Sequence, residues 1–166
     1  MSLQAPRRLP WLLLISAIVY AADQLTKKLV SAHVPLGRSI PVIDGVFYIS
    51  HWTNEGAAFS LFADSTSPTS VRWGLIGFTA LASLVVLVAL TLLGSRITRA
   101  SVALALILGG ALGNLHDRIA YGSVIDFLEV HILHYHWPDF NVADSAVVVG
   151  ACLLLLDSLL PKKTSK

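Results

Sequence analysis

Residues 140–160, FNVADSAVVVGACLLLLDSLL, form an almost entirely apolar run with one acid near each end, Asp144 and Asp157. The uncharged part, residues 145–156, would extend only about 18 Å as a helix, whereas the hydrocarbon core of a bilayer is about 30 Å thick. A helix that crosses the membrane here must therefore include both acids. Because a carboxylate inside a membrane is costly and usually functional, Asp144 is predicted to belong to a functional site.

The composition of the whole chain agrees with a membrane location. Hydrophobic residues make up 55% of the sequence, charged residues only 13%, and the mean hydropathy is +0.70, whereas about a quarter of residues are charged in soluble domains. Three further apolar runs, at about 9–30, 71–93 and 98–115, are long enough to cross a bilayer. We therefore predict one integral membrane domain over residues 1–166, of the membrane all-α class with four transmembrane helices.

Basic residues between the apolar runs predict how the chain crosses the membrane. They lie before the first run, between the second and third, and after the fourth: Arg7, Arg8, Arg96, Arg99, Lys162, Lys163 and Lys166. By the positive-inside rule both termini are cytoplasmic, and the connections 31–70 and 116–139 face outward. The first run is long for the core of a cleaved signal peptide, so we expect it to remain as a span. The net charge of +2 is too small to indicate nucleic-acid binding.

This topology brings four acids to the same depth, near the outer membrane surface. Asp23 lies near the outer end of the first run, Asp117 just past the third, and Asp126 in the short apolar run 124–127, while Asp144 begins the fourth. Two neighbouring carboxylates that share one proton are the working part of an aspartic protease. Asp126 and Asp144, both in apolar surroundings, are the candidate pair.

Polar residues near these acids are predicted to support the pair. Asp23 and Lys27 are four residues apart on one helical face, the spacing of a structural ion pair. The run GGALG at 109–113 contains Gly-x-x-x-Gly, which allows a neighbouring helix to approach closely. One face of the same helix continues with three polar residues: Asn114, Asp117 and Arg118. We interpret this face as a scaffold that orients the two aspartates.

The first outer connection is predicted to be structured. Residues 36–62 begin with β-branched and aromatic residues around an Asp44-Gly45 turn signal, so we expect a small sheet on the outer surface. The apolar segment from Asn54 to Phe62 is predicted to form a short surface helix and to act as a mobile cover over the pair, with Gly56 giving the backbone freedom. Asn54 has two open interpretations, a turn or cap residue and a contact to the substrate backbone.

The second outer connection contains His131, His134 and His136. Their spacing does not match a metalloprotease helix, because no glutamate stands between histidines four apart. With Tyr135 and Trp137 beside them, they are interpreted as an interfacial belt. We predict no metal ligands and no cofactor, and the single Cys152 excludes a disulfide framework.

Five blocks of sequence, in order, resemble the bacterial lipoprotein signal peptidases, also called type II or prolipoprotein signal peptidases, which are intramembrane aspartyl proteases. The blocks are Asp23-Gln24-x-x-Lys27, Asn54-x-Gly56-Ala57-Ala58-Phe59, Gly109-Gly110-Ala111-x-Gly113-Asn114-x-x-Asp117-Arg118, Val124-Ile125-Asp126-Phe127 and Phe140-Asn141-x-Ala143-Asp144-Ser145. The resemblance implies that Asp126 and Asp144 are the catalytic dyad. It assigns support or substrate contact to Asp23, Lys27, Asn54, Gly56, Gly110, Asn114, Asp117, Arg118, Asn141 and Ala143.

The resemblance also implies the reaction and its place in the cell. The family removes the signal peptide from diacylglyceryl-modified prolipoproteins, cutting N-terminal to the lipidated cysteine, from the bacterial cytoplasmic (inner) membrane with the active site facing the periplasm. Membrane lipids are then partners, and globomycin-type inhibitors are expected to wedge between segment 54–62 and the dyad. The alternatives are a proton- or cation-coupled transporter and an assembly protein. The clustering of the acids and the lack of an inverted repeat disfavour the transporter, and an assembly role leaves the acids unexplained.

Overall fold

The structure, a computed structural model, describes residues 8–56 and 68–160, and in these ranges the chain forms four helices and four strands. In chain order they are α1 (Leu9–His33), β1 (Ser39–Ile43), β2 (Phe47–Asn54), α2 (Pro68–Leu93), α3 (Arg99–Ala120), β3 (Val124–Ile132), β4 (Tyr135–Phe140) and α4 (Val142–Leu159). All four helices are long and apolar enough to cross a membrane. The four predicted apolar helices are therefore confirmed, while the side on which the termini lie stays a prediction.

Helix α3 lies at the centre of the bundle and packs against the other three helices. Its glycines make this possible. A Cβ atom on Gly110 would lie 2.3 Å from the carbonyl oxygen of Ala143 on α4, and one on Gly113 would lie 2.6 Å from Oδ2 of Asp23 on α1. A Cβ on Gly109 would lie 2.6 Å from the backbone carbonyl oxygen of Ser16 on α1. Because the atoms opposite Gly109 and Gly110 belong to the backbone, a larger residue at either position would push the helices apart, and the predicted role of the glycine run in close helix packing is confirmed.

Most apolar side chains of the bundle face outward. A small core forms where α1, α2 and α3 meet, and its buried members are Leu12, Leu90, Leu104, Ala105 and Leu108. On α2, by contrast, Phe78 is 73% and Leu92 is 77% exposed. Exposed apolar surface of this extent marks contact with a membrane. Lipid can solvate these side chains as well as a protein core does, which is why the bundle needs so little apolar interior.

The four strands form one antiparallel sheet in the order β1-β2-β3-β4. The sheet predicted in the first outer connection is confirmed, but the interpretation of the second connection as an interfacial belt missed β3 and β4. A two-stranded hairpin alone is marginally stable, whereas four strands that pack on a helix end bury a useful apolar face. Phe127 of β3 packs with Val30 and Val34 at the end of α1. Residues 57–62 of the predicted surface helix and cover lie outside the described residues.

The helix ends differ from the predicted limits for local reasons. Helix α3 continues to Ala120 instead of ending near 115, because Arg72 of α2 donates hydrogen bonds to the carbonyls of Arg118 and Ile119, both at 3.0 Å. These contacts satisfy carbonyl groups that a helix end leaves without partners. Helix α4 begins two residues later than predicted, since Asn141 caps its N-terminus. Asp117 and Arg118 thus lie on α3 itself.

Candidate active site

Asn141 joins the two predicted catalytic aspartates. Asp126 lies near the start of β3 and Asp144 in the first turn of α4. The side-chain amide of Asn141 donates to Oδ1 of Asp126 at 2.7 Å, and its backbone N–H donates to Oδ2 of Asp144 at 3.3 Å. Its Oδ1 in turn accepts from the Asp144 backbone N–H at 2.9 Å. The helix cap that positions Asp144 therefore also holds Asp126.

Two further amides complete the hydrogen bonding of the pair. Asn114 of α3 donates to Oδ1 of Asp144 at 2.7 Å, and Asn54 at the end of β2 donates to Oδ2 of Asp126 at 3.2 Å. Asn54 also accepts from the backbone N–H of Gly56 at 2.9 Å, so it is a turn residue and a partner of the aspartate at once. Because amides are uncharged, they orient both carboxylates without neutralising them. The pair keeps its capacity to hold a proton.

The environment of Asp126 favours its protonated form. The side chain lies on a strand outside the membrane-spanning helices and is 4% exposed. Burial, and then the charge of Asp144, raise the pKa of Asp126 from 3.8 to about 7, although the hydrogen bonds from Asn54 and Asn141 oppose the change. The carboxyl group of Asp126 can therefore both hold and release a proton near neutral pH.

A buried ion triad lies behind the pair. Lys27 of α1 contacts Asp23 at 2.8 Å and Asp117 of α3 at 2.7 Å. The predicted Asp23–Lys27 ion pair is therefore confirmed, and Asp117 is its third member. Each acid also accepts a backbone N–H beside the pair: Asp23 from Ala143 at 2.9 Å, and Asp117 from Ile125 at 3.4 Å. The triad thus fixes the start of α4 and the start of β3, the two elements that carry the aspartates.

Lys27 also connects the triad to the pair directly. Its ammonium group donates to Oδ1 of Asn114 at 3.0 Å, and Asn114 is the residue that donates to Asp144. The cation therefore orients the amide, whose nitrogen must then point to Asp144. Sequence spacing predicted that Asn114 and Asp117 share a helical face, and the structure brings both onto Lys27.

Arg118 links the site to the first outer connection. One guanidinium nitrogen donates to the carbonyl of Gly56 at 3.0 Å, and the group interacts electrostatically with Asp117, Asp126 and Asp144. Its Nε is buried without a hydrogen-bond partner among residues 8–56 and 68–160. Arg118 therefore holds the chain at Gly56, which directly precedes segment 57–67, close to the two aspartates. Its Nε–H group remains available as a hydrogen-bond donor.

Sequence reasoning missed two polar residues that support the site. Gln24 donates to Oδ1 of Asp117 at 2.8 Å and to the Gly113 carbonyl at 3.3 Å, and Arg72 ends α3 directly behind Arg118. The signal for Gln24 was its place between Asp23 and Lys27. The signal for Arg72 was that a lone base lies next to a run of apolar residues, where a charged side chain seldom lacks a partner.

The fold and site together define a multi-pass membrane protein with a two-carboxylate centre at one end of its helix bundle. Residues 15–160 match the model of the family described as Signal peptidase (SPase) II. The chain therefore belongs to the signal peptidase II family, and it is a membrane peptidase. This confirms the resemblance seen in the five sequence blocks and favours the peptidase over the transporter and assembly alternatives.

Individual relatives agree over nearly the whole chain. The chain is 41% identical to the Lipoprotein signal peptidase of Brevibacillus brevis, over 94% of this chain and 99% of the relative. It is 43% identical to the protein of that name from Pseudomonas aeruginosa, over 96% and 93%. A solved bacterial membrane enzyme structure superposes with a TM-score of 0.73 at 29% identity, covering 95% of this chain and 94% of the other. The fold of helices and sheet is thus shared.

Proposed function

We propose that this protein is an intramembrane aspartyl endopeptidase that removes the signal peptide from diacylglyceryl-modified prolipoproteins, cutting N-terminal to the lipidated cysteine. The observation that carries the proposal is the hydrogen bonding of Asn141 to both buried aspartates, Asp126 and Asp144. Within a family of lipoprotein signal peptidases, this pair supplies the acid and the base that peptide hydrolysis needs. The proposal requires no metal and no cofactor.

The reaction follows from a pair that shares one proton. The ionised carboxylate takes a proton from a water molecule while the water oxygen bonds to the scissile carbonyl carbon. The neutral carboxyl donates its proton to the carbonyl oxygen, which stabilises the developing charge. When the C–N bond breaks, the leaving amine takes the proton that came from the water, and one hydroxyl of the tetrahedral intermediate returns its proton to the pair as the carbonyl re-forms. Because the two groups titrate together, the proton belongs to the pair and not to one residue.

The position of the site in the bundle supports a lipidated substrate. The aspartates lie at one end of the helices, while Arg99 and Asp157, paired at 3.0 Å, mark the opposite end. Basic residues at that opposite end favour a cytoplasmic location for it. The pair would then face the periplasm from the inner membrane, at the depth where the acyl chains of a lipoprotein hold its cysteine.

Removing the lipid from the substrate should therefore lower kcat/KM by at least about 100-fold, since a misplacement of about 1 Å can have that effect. Each acyl chain contributes up to about 0.8 kcal/mol of membrane affinity per buried methylene, and without the chains nothing fixes the scissile bond beside the aspartates. The measurement is the rate and mass of products from matched lipidated and unlipidated precursors in lipid bicelles. Equal kcat/KM for the two forms would contradict positioning by lipid, and product masses that place the cut elsewhere would contradict the proposed function.

The rate of cleavage should fall as the pH rises through about 7, the raised pKa of Asp126, because the pair then loses the proton that its two carboxyl groups must share. Stability changes in the same direction. A folded-state pKa above the unfolded value of 3.8 stabilises the fold at low pH, and this contribution is lost as the pH rises to about 7. The pH–rate profile should therefore be measured in one detergent, with the melting temperature recorded at each pH. A rate that increases steadily from pH 7 to 9 in folded protein would be inconsistent with a shared proton.

A further inference from the structure

The β3–β4 hairpin gathers histidines on the outer sheet, away from the aspartates. His131 of β3 and His136 of β4 are directly paired across the ladder, and Glu129 precedes His131 by two residues. Side chains two residues apart on a strand lie on the same face, and a directly opposed pair shares a face too. Strand register therefore brings together three side chains whose sequence spacing suggested no metal site.

The polar atoms of the three side chains lie close together. Nε2 of His131 lies 2.7 Å and Nε2 of His136 lies 3.6 Å from the same oxygen, Oε1 of Glu129. One nitrogen or oxygen atom from each residue falls within 4.8 Å of the others. In a tetrahedral zinc site with bonds of about 2.0–2.1 Å, ligand atoms lie about 3.3 Å apart. The observed spacing needs only small side-chain movements to reach this geometry.

A hydrogen bond from another strand of the sheet holds the carboxylate of Glu129 in place. Glu129 is 9% exposed, and its second oxygen, Oε2, accepts a hydrogen bond from the Ser39 hydroxyl of β1 at 2.5 Å. A hydrogen bond to the oxygen that does not bind the metal is the usual support of a ligating carboxylate.

The site is open on one side and braced on the other. His136 is half exposed, so an ion has a path to the cluster. The ring of His131 packs against Tyr48 of β2, with ring centres 4.9 Å apart. A second carboxylate, Asp139, is close enough for both histidines to affect its charge, and it is held by the Ser50 hydroxyl at 3.1 Å.

We propose that Glu129, His131 and His136 form a binding site for a divalent transition metal ion, with zinc as the best match. Two imidazole nitrogens and one carboxylate suit zinc, whereas calcium and magnesium prefer ligand sets made only of oxygen. Three protein ligands leave one coordination position for water. Glu129 is three residues from Asp126, about 10 Å along the strand, so the ion would take no part in the proposed hydrolysis.

Bound metal would stabilise the hairpin that connects the two aspartates. The chain between Asp126 and Asn141 consists of β3, a tight turn and β4, and the metal would tie His131 to His136 across it. An ion that binds only the folded hairpin raises the stability of the protein in proportion to its affinity and concentration. The site thus predicts a melting temperature that depends on zinc.

The test uses the full-length protein in detergent, without a histidine tag and stripped of metal. We expect one equivalent of Co²⁺ to give the visible absorption of a tetrahedral site, and Zn²⁺ to displace it and raise the melting temperature. His131→Gln and His136→Gln should each weaken Zn²⁺ binding by at least about tenfold and remove the thermal effect. His134→Gln is the matched control, because this exposed residue lies in the same hairpin but outside the cluster, and it should bind as the unaltered protein does.

Two results would overturn the metal site: no saturable Zn²⁺ binding by the unaltered protein, or equal affinity in the His131, His136 and His134 variants. Glu129→Gln gives a second reading, because it removes the anionic ligand while keeping the size of the side chain. Cleavage is expected to persist in EDTA whether or not zinc binds. The metal site and the proposed peptidase mechanism can therefore fail independently.

Discussion

Asp126→Asn and Asp144→Asn should each lower cleavage of a lipidated precursor by about 1,000-fold or more, the range expected when a general acid or base is lost. Asparagine has nearly the shape of aspartate but cannot take a proton from water or share one with its neighbour. Folding should be preserved, since each substitution also removes charge repulsion between two buried groups. The measurement is product formation by mass spectrometry, together with the melting temperature of each purified variant.

Asp157→Asn provides a matched control for this experiment. It makes the same substitution in the same helix, α4, but at the end where Asp157 pairs with the exposed Arg99. Its activity should stay close to that of the unaltered protein. Substantial turnover by either Asp126→Asn or Asp144→Asn would mean that the two aspartates are not the acid and base.

Lys27→Met should lower the free energy of unfolding by about 3–5 kcal/mol, the usual effect of removing one partner from a buried ion pair. Lys27 is 2% exposed and serves two carboxylates, Asp23 and Asp117, which are themselves fully buried. Without the cation these acids are left as neighbouring buried charges. Activity should fall as well, because the same acids hold the backbone at Ala143 and Ile125. Reversible unfolding in mixed detergent micelles measures the change.

Lys28→Met is the control, because the next residue is exposed and has the same chemistry. We expect it to change stability by less than about 0.5 kcal/mol, as is usual for surface substitutions. A triple variant, Lys27→Met with Asp23→Asn and Asp117→Asn, should recover much of the lost stability, because it removes the unpaired charges. If Lys27→Met and Lys28→Met had equal stability, the triad would not support the fold.

The parts of the structure that the sequence predicts are those that depend on near neighbours in the chain. Hydropathy identified four helices because a membrane span needs a long apolar run. A spacing of four residues predicted the Asp23–Lys27 contact, since that spacing places two side chains on one helical face. The order of the five sequence blocks indicated the family, and the two aspartates in those blocks are joined through Asn141.

The parts that could not be predicted depend on contacts between distant residues. Lys27 also pairs with Asp117 on another helix, and nothing local to either residue reveals this contact. Strands β3 and β4 were missed because apolar and aromatic residues near a membrane also suit an interfacial loop. The cluster of Glu129, His131 and His136 exists only once the register of the hairpin is known, since His131 and His136 are five residues apart in the chain but face each other across it.

The hydrogen bond from the Ala143 backbone N–H to Asp23 joins residues that are 120 positions apart in the sequence. It therefore forms only late in the synthesis and assembly of the protein. Helices reach the membrane in the order of synthesis, so α1, α2 and α3 arrive before α4. Until α4 docks, Asp126 lacks both Asn141 and Asp144, and a nascent chain does not contain the complete aspartate pair. Under the proposed mechanism, proteolytic capacity appears only with the final step of assembly, and a truncated or stalled chain would be harmless to the polypeptides around it.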